Sequence, residues 1–125
     1  MSREDRIVSY LEERGVSVET VKRWEIGGQL GLTEFDQDSG EALYVFLSED
    51  SGVSTLIHET AHVMLDHGRR YPVPLDDYWA DPGETEAEAV AQIVCGNPPD
   101  PRFTGKICPD KVTQVILALQ DVIGD

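Results

Sequence analysis

The segment Leu56-Ile57-His58-Glu59-Thr60-Ala61-His62-Val63-Met64-Leu65 constrains this chain more than any other. Its apolar spacing is that of an amphipathic helix, yet two histidines and a glutamate sit inside it. Residues four apart on a helix are separated by roughly 40° around the axis, so His58 and His62 project side by side. Glu59 lies roughly 100° further round. Ile57, Ala61, Met64 and Leu65 occupy the arc adjoining the histidines, which places the pair on the border of a buried stripe. Two imidazoles held this way can grip one zinc ion, and Glu59 can reach a water beside it without being a ligand. The helix is expected to run from about Ser51 or Val53 to His67 and to stop at Gly68. On that helix His67 points away from His58 and stays outside the site.

A third ligand is expected from the next helical pattern, Gly83 to Cys95. Periodicity leaves Glu84 and Glu86 on opposite edges of its apolar stripe. Glu84 shares its edge with small Ala87, Ala91 and Cys95, whereas Glu86 shares its edge with bulkier Val90 and Ile93. Two helices that share a metal must approach closely, so Glu84 is the expected ligand and Glu86 the alternative. Glu88, one turn on, is placed to hydrogen-bond a ligating histidine. Three protein ligands leave one tetrahedral position open, the catalytic arrangement. Glu59 is then the expected base, accepting a proton from water and passing it to a leaving amine. Tyr71, Tyr78 and His67 are candidates by residue type for stabilising an oxyanion.

Around this core the reading is of one small α+β domain spanning 1–125. Residues 1–26 read as a helical N-terminal extension, with Ser2 as a cap for about 2–14 and Gly15 as its stop. A second short helix is expected after Ser17, with Val18, Val21 and Trp24 turned inward, ending at Gly27-Gly28. Gln29 to Phe35 and Glu41 to Ser48 read as a β-hairpin around the turn signal Asp36-Gln37-Asp38-Ser39-Gly40. The apolar run Leu43 to Leu47 predicts a strand covered on both faces. Residues 43–95 form the zinc-site core, and 68–83 an irregular connection in which Trp79 is read as a core anchor or a cleft lining. The helix 109–123, with Pro109 in its first turn, carries a stripe from Val112 to Ile123 that reads as core, with a partner-binding face as the alternative.

The net charge of −14 opposes a phosphate backbone as the main partner. The ten basic residues are scattered, and Arg69-Arg70 read as partners of a helix dipole. Cys95 and Cys108 cannot form a four-thiolate site and read as reduced thiols. The charged start of the chain lacks a signal-peptide pattern and no run is of membrane-spanning length, so a cytoplasmic location is expected, with no membrane partner.

The phrases LIHETAHVMLDHG and ETEAEAVAQIVC resemble the glutamate-ligated zinc peptidases, the gluzincins. Within them the chain is most similar to ImmA/IrrE-type metallopeptidases and the metallopeptidase domain of ArdC-type antirestriction proteins. The resemblance spans roughly Leu43 to Cys95. It implies a zincin-like fold, zinc held by His58, His62 and Glu84, Glu59 as catalytic residue, and a protein or peptide substrate of the regulatory, repressor-like kind. The alternatives are a non-catalytic zinc-bearing regulatory or antirestriction interaction protein, or an acidic mimic of DNA acting through charge.

Overall fold

The computed structural model describes residues 1–124. Ser2 opens the first helix, α1 (Arg3–Glu13): its hydroxyl accepts from the Asp5 amide at 3.1 Å while the Asp5 carboxylate accepts from the Ser2 N–H. Ile7 and Leu11, one turn apart, are fully buried. Gly15, at φ +81°, turns the chain out of the helix.

Residues 17–26 correct the helical expectation. Ser17–Val21 is strand β1, and Arg23–Ile26 is a single 3-10 turn closing on Gly27. Val18, Thr20 and Val21 are β-branched, which costs side-chain freedom in a helix and suits a pleated surface. A parallel neighbour decides the outcome, since β1 pairs with a later strand in the register Ser17↔Tyr44 to Val21↔Ser48. Trp24 is 75% exposed rather than turned inward; Ile26 fills the core position instead. Residues 1–26 are therefore no helical extension. They supply one helix of the core and one strand of the sheet.

The hairpin forms as β2 (Gly31–Phe35) and β3 (Ala42–Ser48), antiparallel, with Gly31 opposite Leu47 and Phe35 opposite Ala42. Its turn is held by the Asp36 carboxylate, which accepts from the Asp38 and Ser39 amides at 2.9 and 2.8 Å. The sheet order is β1-β3-β2, so β3 is central and β2 is an edge. Only one face of β3 is covered, contrary to expectation. Val45 is fully buried among the helices, while Tyr44 is 38% exposed and stacks on Phe46.

Four helices complete the fold: α2 (Val53–Met64), the one-turn α3 (His67–Arg70), α4 (Pro82–Cys95) and α5 (Pro109–Ile123). Asp81 starts α4 by accepting from the Glu84 amide at 2.9 Å, and its other oxygen holds the Leu75 amide at 2.9 Å. Helices α2 and α4 pack together, with Ala61, Ala87 and Ala91 fully buried. Val112, Val115, Ile116, Leu119 and Ile123 of α5 are buried, so its stripe belongs to the core and not to a partner surface. The architecture is mixed α+β. No helix among the described residues is long and apolar enough to cross a membrane.

The core cluster joins Ile7 and Leu11 to Val45, Ile57, Val90 and Leu119, and so fixes α2 against α4. Leu119→Ala should remove about 2–5 kcal/mol of stability. Urea unfolding checks this: the midpoint should fall with the slope unchanged.

Candidate metal centre

Helix α2 buries every side chain from Leu56 to His62, polar ones included. His58 and His62 emerge side by side, and Glu84 meets them from the first turn of α4. Glu84 Oε1 lies 2.9 Å from His58 Nε2 and 3.1 Å from His62 Nε2. One potential ligand atom from each residue falls within 4.8 Å of the other two. That set can hold a metal ion, although its geometry alone does not select zinc. Of the two glutamates weighed above, the structure brings Glu84 to the histidines and takes Glu86 elsewhere.

The donor set demands positive charge. Burial opposes charge on His58, but the Glu84 and Glu88 carboxylates, with Glu59 behind them, outweigh it and push the ring up to about 10. Burial would also raise Glu84, yet His58 and His62 hold it well below the usual carboxylate range. A cation placed among these three groups would serve in place of the protons they share. Glu88 Oε1 lies 3.3 Å from His58 Nδ1, the nitrogen turned away from Glu84, as a supporting hydrogen-bond partner should.

Glu59 is buried beside the cluster and belongs to none of these contacts. Its Oε1 accepts from the Thr33 hydroxyl of β2 at 2.8 Å. Strand and helix come this close because residue 31 is glycine: a Cβ there would lie 2.8 Å from the Thr55 methyl and 2.9 Å from Glu59 Cγ. Thr33 is a neighbour that no local pattern marks, since only the strand packing brings it to the site.

His67 corrects the expectation that it stands apart. Helix α2 ends at Met64, and Asp66 adopts a left-handed conformation at φ 57°. Short polar residues tolerate that region, so Asp66-His67-Gly68 was the available signal for a stop before His67. The chain doubles back and seats His67 Nδ1 at 2.7 Å from His62 Nδ1. Its Nε2 lies 2.8 Å from Glu86 Oε1. Burial and the neighbouring His62 push His67 down to about 4 against the pull of Glu86, so its ring is neutral near pH 7. Both nitrogens are engaged, which removes His67 as an oxyanion donor.

Glu86, the alternative ligand, is fully buried and forms a two-pronged pair with Arg70, both contacts at 2.9 Å. Burial would raise its carboxyl, but Arg70 and His67, with the Cys108 amide, hold it below the usual range. Arg70 is thus more than a dipole partner; Arg69 pairs with Asp66 on the surface. Cys95 and Cys108 are not bonded to each other.

The cluster opens into a cleft of about 990 Å³. Edge strand β2 lines it together with Tyr71, Pro72, Pro74 and Tyr78. Burial and the carboxylates of Glu84, Glu59 and Glu88 push the Tyr78 phenol well above its ordinary value, so it stays protonated. Trp79 is neither core anchor nor cleft lining. It is 37% exposed, packs edge-on against Phe103 at 4.8 Å and carries the Arg102 guanidinium over its ring. Comparison of the chain with protein-family models, curated proteins and solved structures gave no match.

Proposed function

We propose that this chain is a zinc-dependent metallopeptidase, acting in the cytoplasm on a protein or peptide of the regulatory, repressor-like class. His58, His62 and Glu84 are its metal ligands and Glu59 its base. One observation carries the reading: three ligand atoms converge within 4.8 Å on the wall of a cleft that Glu59 also lines. Two imidazoles and a carboxylate are a donor set that suits zinc and leaves a coordination position open. The substrate class comes from the resemblance to ImmA/IrrE-type peptidases.

Zinc held by His58, His62 and Glu84 would supply Lewis acidity to a carbonyl and bring a water's pKa towards about 7. Glu59, oriented by Thr33, takes the water's proton and delivers it to the leaving amine. Tyr78 offers its phenolic proton to the developing oxyanion. The open edge of β2 offers backbone N–H and C=O groups to an extended peptide. A module that only binds a partner has no use for a buried carboxylate at this point, and this favours the enzyme over a non-catalytic regulator.

The test is cleavage of a proteome-derived peptide library by the zinc-loaded protein, read as new termini by mass spectrometry. Cuts that stop on chelation and return with zinc are expected. A zinc-loaded protein that leaves the library intact supports the binding module instead.

Zinc affinity should also depend on pH. His58 holds its proton up to about pH 10 in the metal-free site, so binding at neutral pH displaces that proton. Affinity should therefore rise about tenfold per pH unit between about pH 6 and 8 and weaken as the solution is acidified. Competition titration with a chromophoric chelator measures it, and a flat profile removes His58 from the ligand set.

A further inference from the structure

We propose that His67 is a positioning residue, which fixes His62 in the tautomer whose Nε2 faces the metal and ties that ring to the buried Glu86–Arg70 pair. This rests on the metal-centre reading above and extends it to residues outside the ligand set.

Hydrogen-bond direction carries the argument. Glu86 Oε1 accepts from Arg70 Nη1 at 2.9 Å, and Oε2 accepts from Arg70 Nη2 at 2.9 Å and from the Cys108 amide at 2.8 Å. A guanidinium and a backbone N–H can only donate, so both Glu86 oxygens are acceptors. The remaining partner, His67 Nε2 at 2.8 Å from Oε1, must then donate. With that proton on Nε2, His67 can accept through Nδ1, and a metal held by His62 Nε2 leaves the one proton of the His62 ring on Nδ1. His62 Nδ1 lies 2.7 Å away, and a contact between two ring nitrogens needs one proton, so His62 Nδ1–H donates to His67. That tautomer leaves the His62 Nε2 lone pair for a metal, in place of the proton that Nε2 shares with Glu84 Oε1 in the metal-free site. Arg70 and the Cys108 amide fix the bonds to Glu86, and a metal on His62 Nε2 fixes the one between the two rings.

The surroundings make this chain of bonds stiff. The His67 side chain is 4% exposed and Glu86 is 0% exposed. The turn that returns His67 is packed too closely to shift, because a Cβ on Gly68 would run into the Gly40 carbonyl and the Phe35 ring. His58, by contrast, is supported at 3.3 Å by Glu88, whose side chain is 23% exposed. The site is thus anchored from the His62 side.

Zinc affinity of His67→Phe and His67→Gln, measured beside the wild type by chelator competition, tests the proposal. Phenylalanine keeps the ring shape and removes both nitrogens. Glutamine offers an acceptor to His62 and a donor to Glu86. The Phe variant should bind zinc about 10–100-fold more weakly with unchanged circular dichroism, and the Gln variant should recover most of the loss. Equal weakening in both variants, or none in the Phe variant, overturns the proposal while leaving the metal centre standing. Absence of zinc uptake by the wild type overturns both. Histidine-selective ¹⁵N NMR of the zinc-loaded wild type needs no variant: His62 should coordinate through Nε2 and show a slowly exchanging Nδ1–H, and coordination through Nδ1 sinks the idea.

Discussion

Glu59→Gln should keep the metal and lose hydrolysis. The substitution preserves the shape of the side chain and its acceptor towards the Thr33 hydroxyl, 2.8 Å away in the parent. It removes the carboxylate that accepts the water's proton. Loss of a general base costs typically about 10²–10⁴ in rate, here read as kcat on a peptide the parent cleaves. Zinc stoichiometry should be unchanged, because Glu59 is not one of the three residues whose ligand atoms converge. A variant with full activity would assign the biology to binding, and one without metal would make Glu59 part of the coordination.

The second large effect separates two glutamates that stand two positions apart in sequence. Glu84→Ala should lose most of the metal and keep the fold. Its side chain is 24% exposed, and its partners are the two histidines that water or protons can serve in its absence. The fall in zinc affinity should exceed the roughly 10–100-fold loss typical of removing a supporting hydrogen-bond partner. Glu86→Ala should do the reverse in kind. It strands Arg70, His67 and the Cys108 amide around a buried hole, and breaking a buried pair costs about 3–5 kcal/mol. Chelator competition and urea unfolding on the two variants should therefore move in different columns. A fully loaded Glu84→Ala would remove that ligand from the account.

The positions of those two glutamates were only partly legible in the sequence. The spacing of His58 and His62 is a local property of one helix, so their juxtaposition could be read from helical pitch alone. The placement of Glu84, not Glu86, beside the histidines was legible too, because small residues line its edge of α4 where α2 packs; Ala87 and Ala91 are fully buried there. The hairpin was legible because the Asp36 turn closes on itself, and α5 because its stripe is long and strict. What escaped depends on partners distant along the chain. Ser17–Val21 is a strand because β3 lies beside it, and two valines three apart look equally like a helix face when the neighbour is unseen. The place of Glu86 needs Arg70 and the Cys108 amide, neither of which its own helix predicts.

His67 escaped for a different reason. One left-handed residue, Asp66, converts a side chain pointing away from the histidine pair into one that touches His62. A helical wheel carries no information past the point where the helix stops. The exposed tryptophans are a related lesson: Trp24 and Trp79 are large and apolar, but hydrophobicity alone does not assign a residue to the core. Trp79 instead finds Phe103 and the Arg102 guanidinium at the surface.

Metal content tests the central claim most directly. The purified chain should be stripped with a chelator, dialysed, offered one equivalent of zinc and measured by inductively coupled plasma mass spectrometry, alongside a His58→Ala/His62→Ala double variant. The account predicts one zinc retained per wild-type chain and essentially none on the double variant. A wild-type chain that emerges without zinc, or a double variant that holds as much, would contradict it.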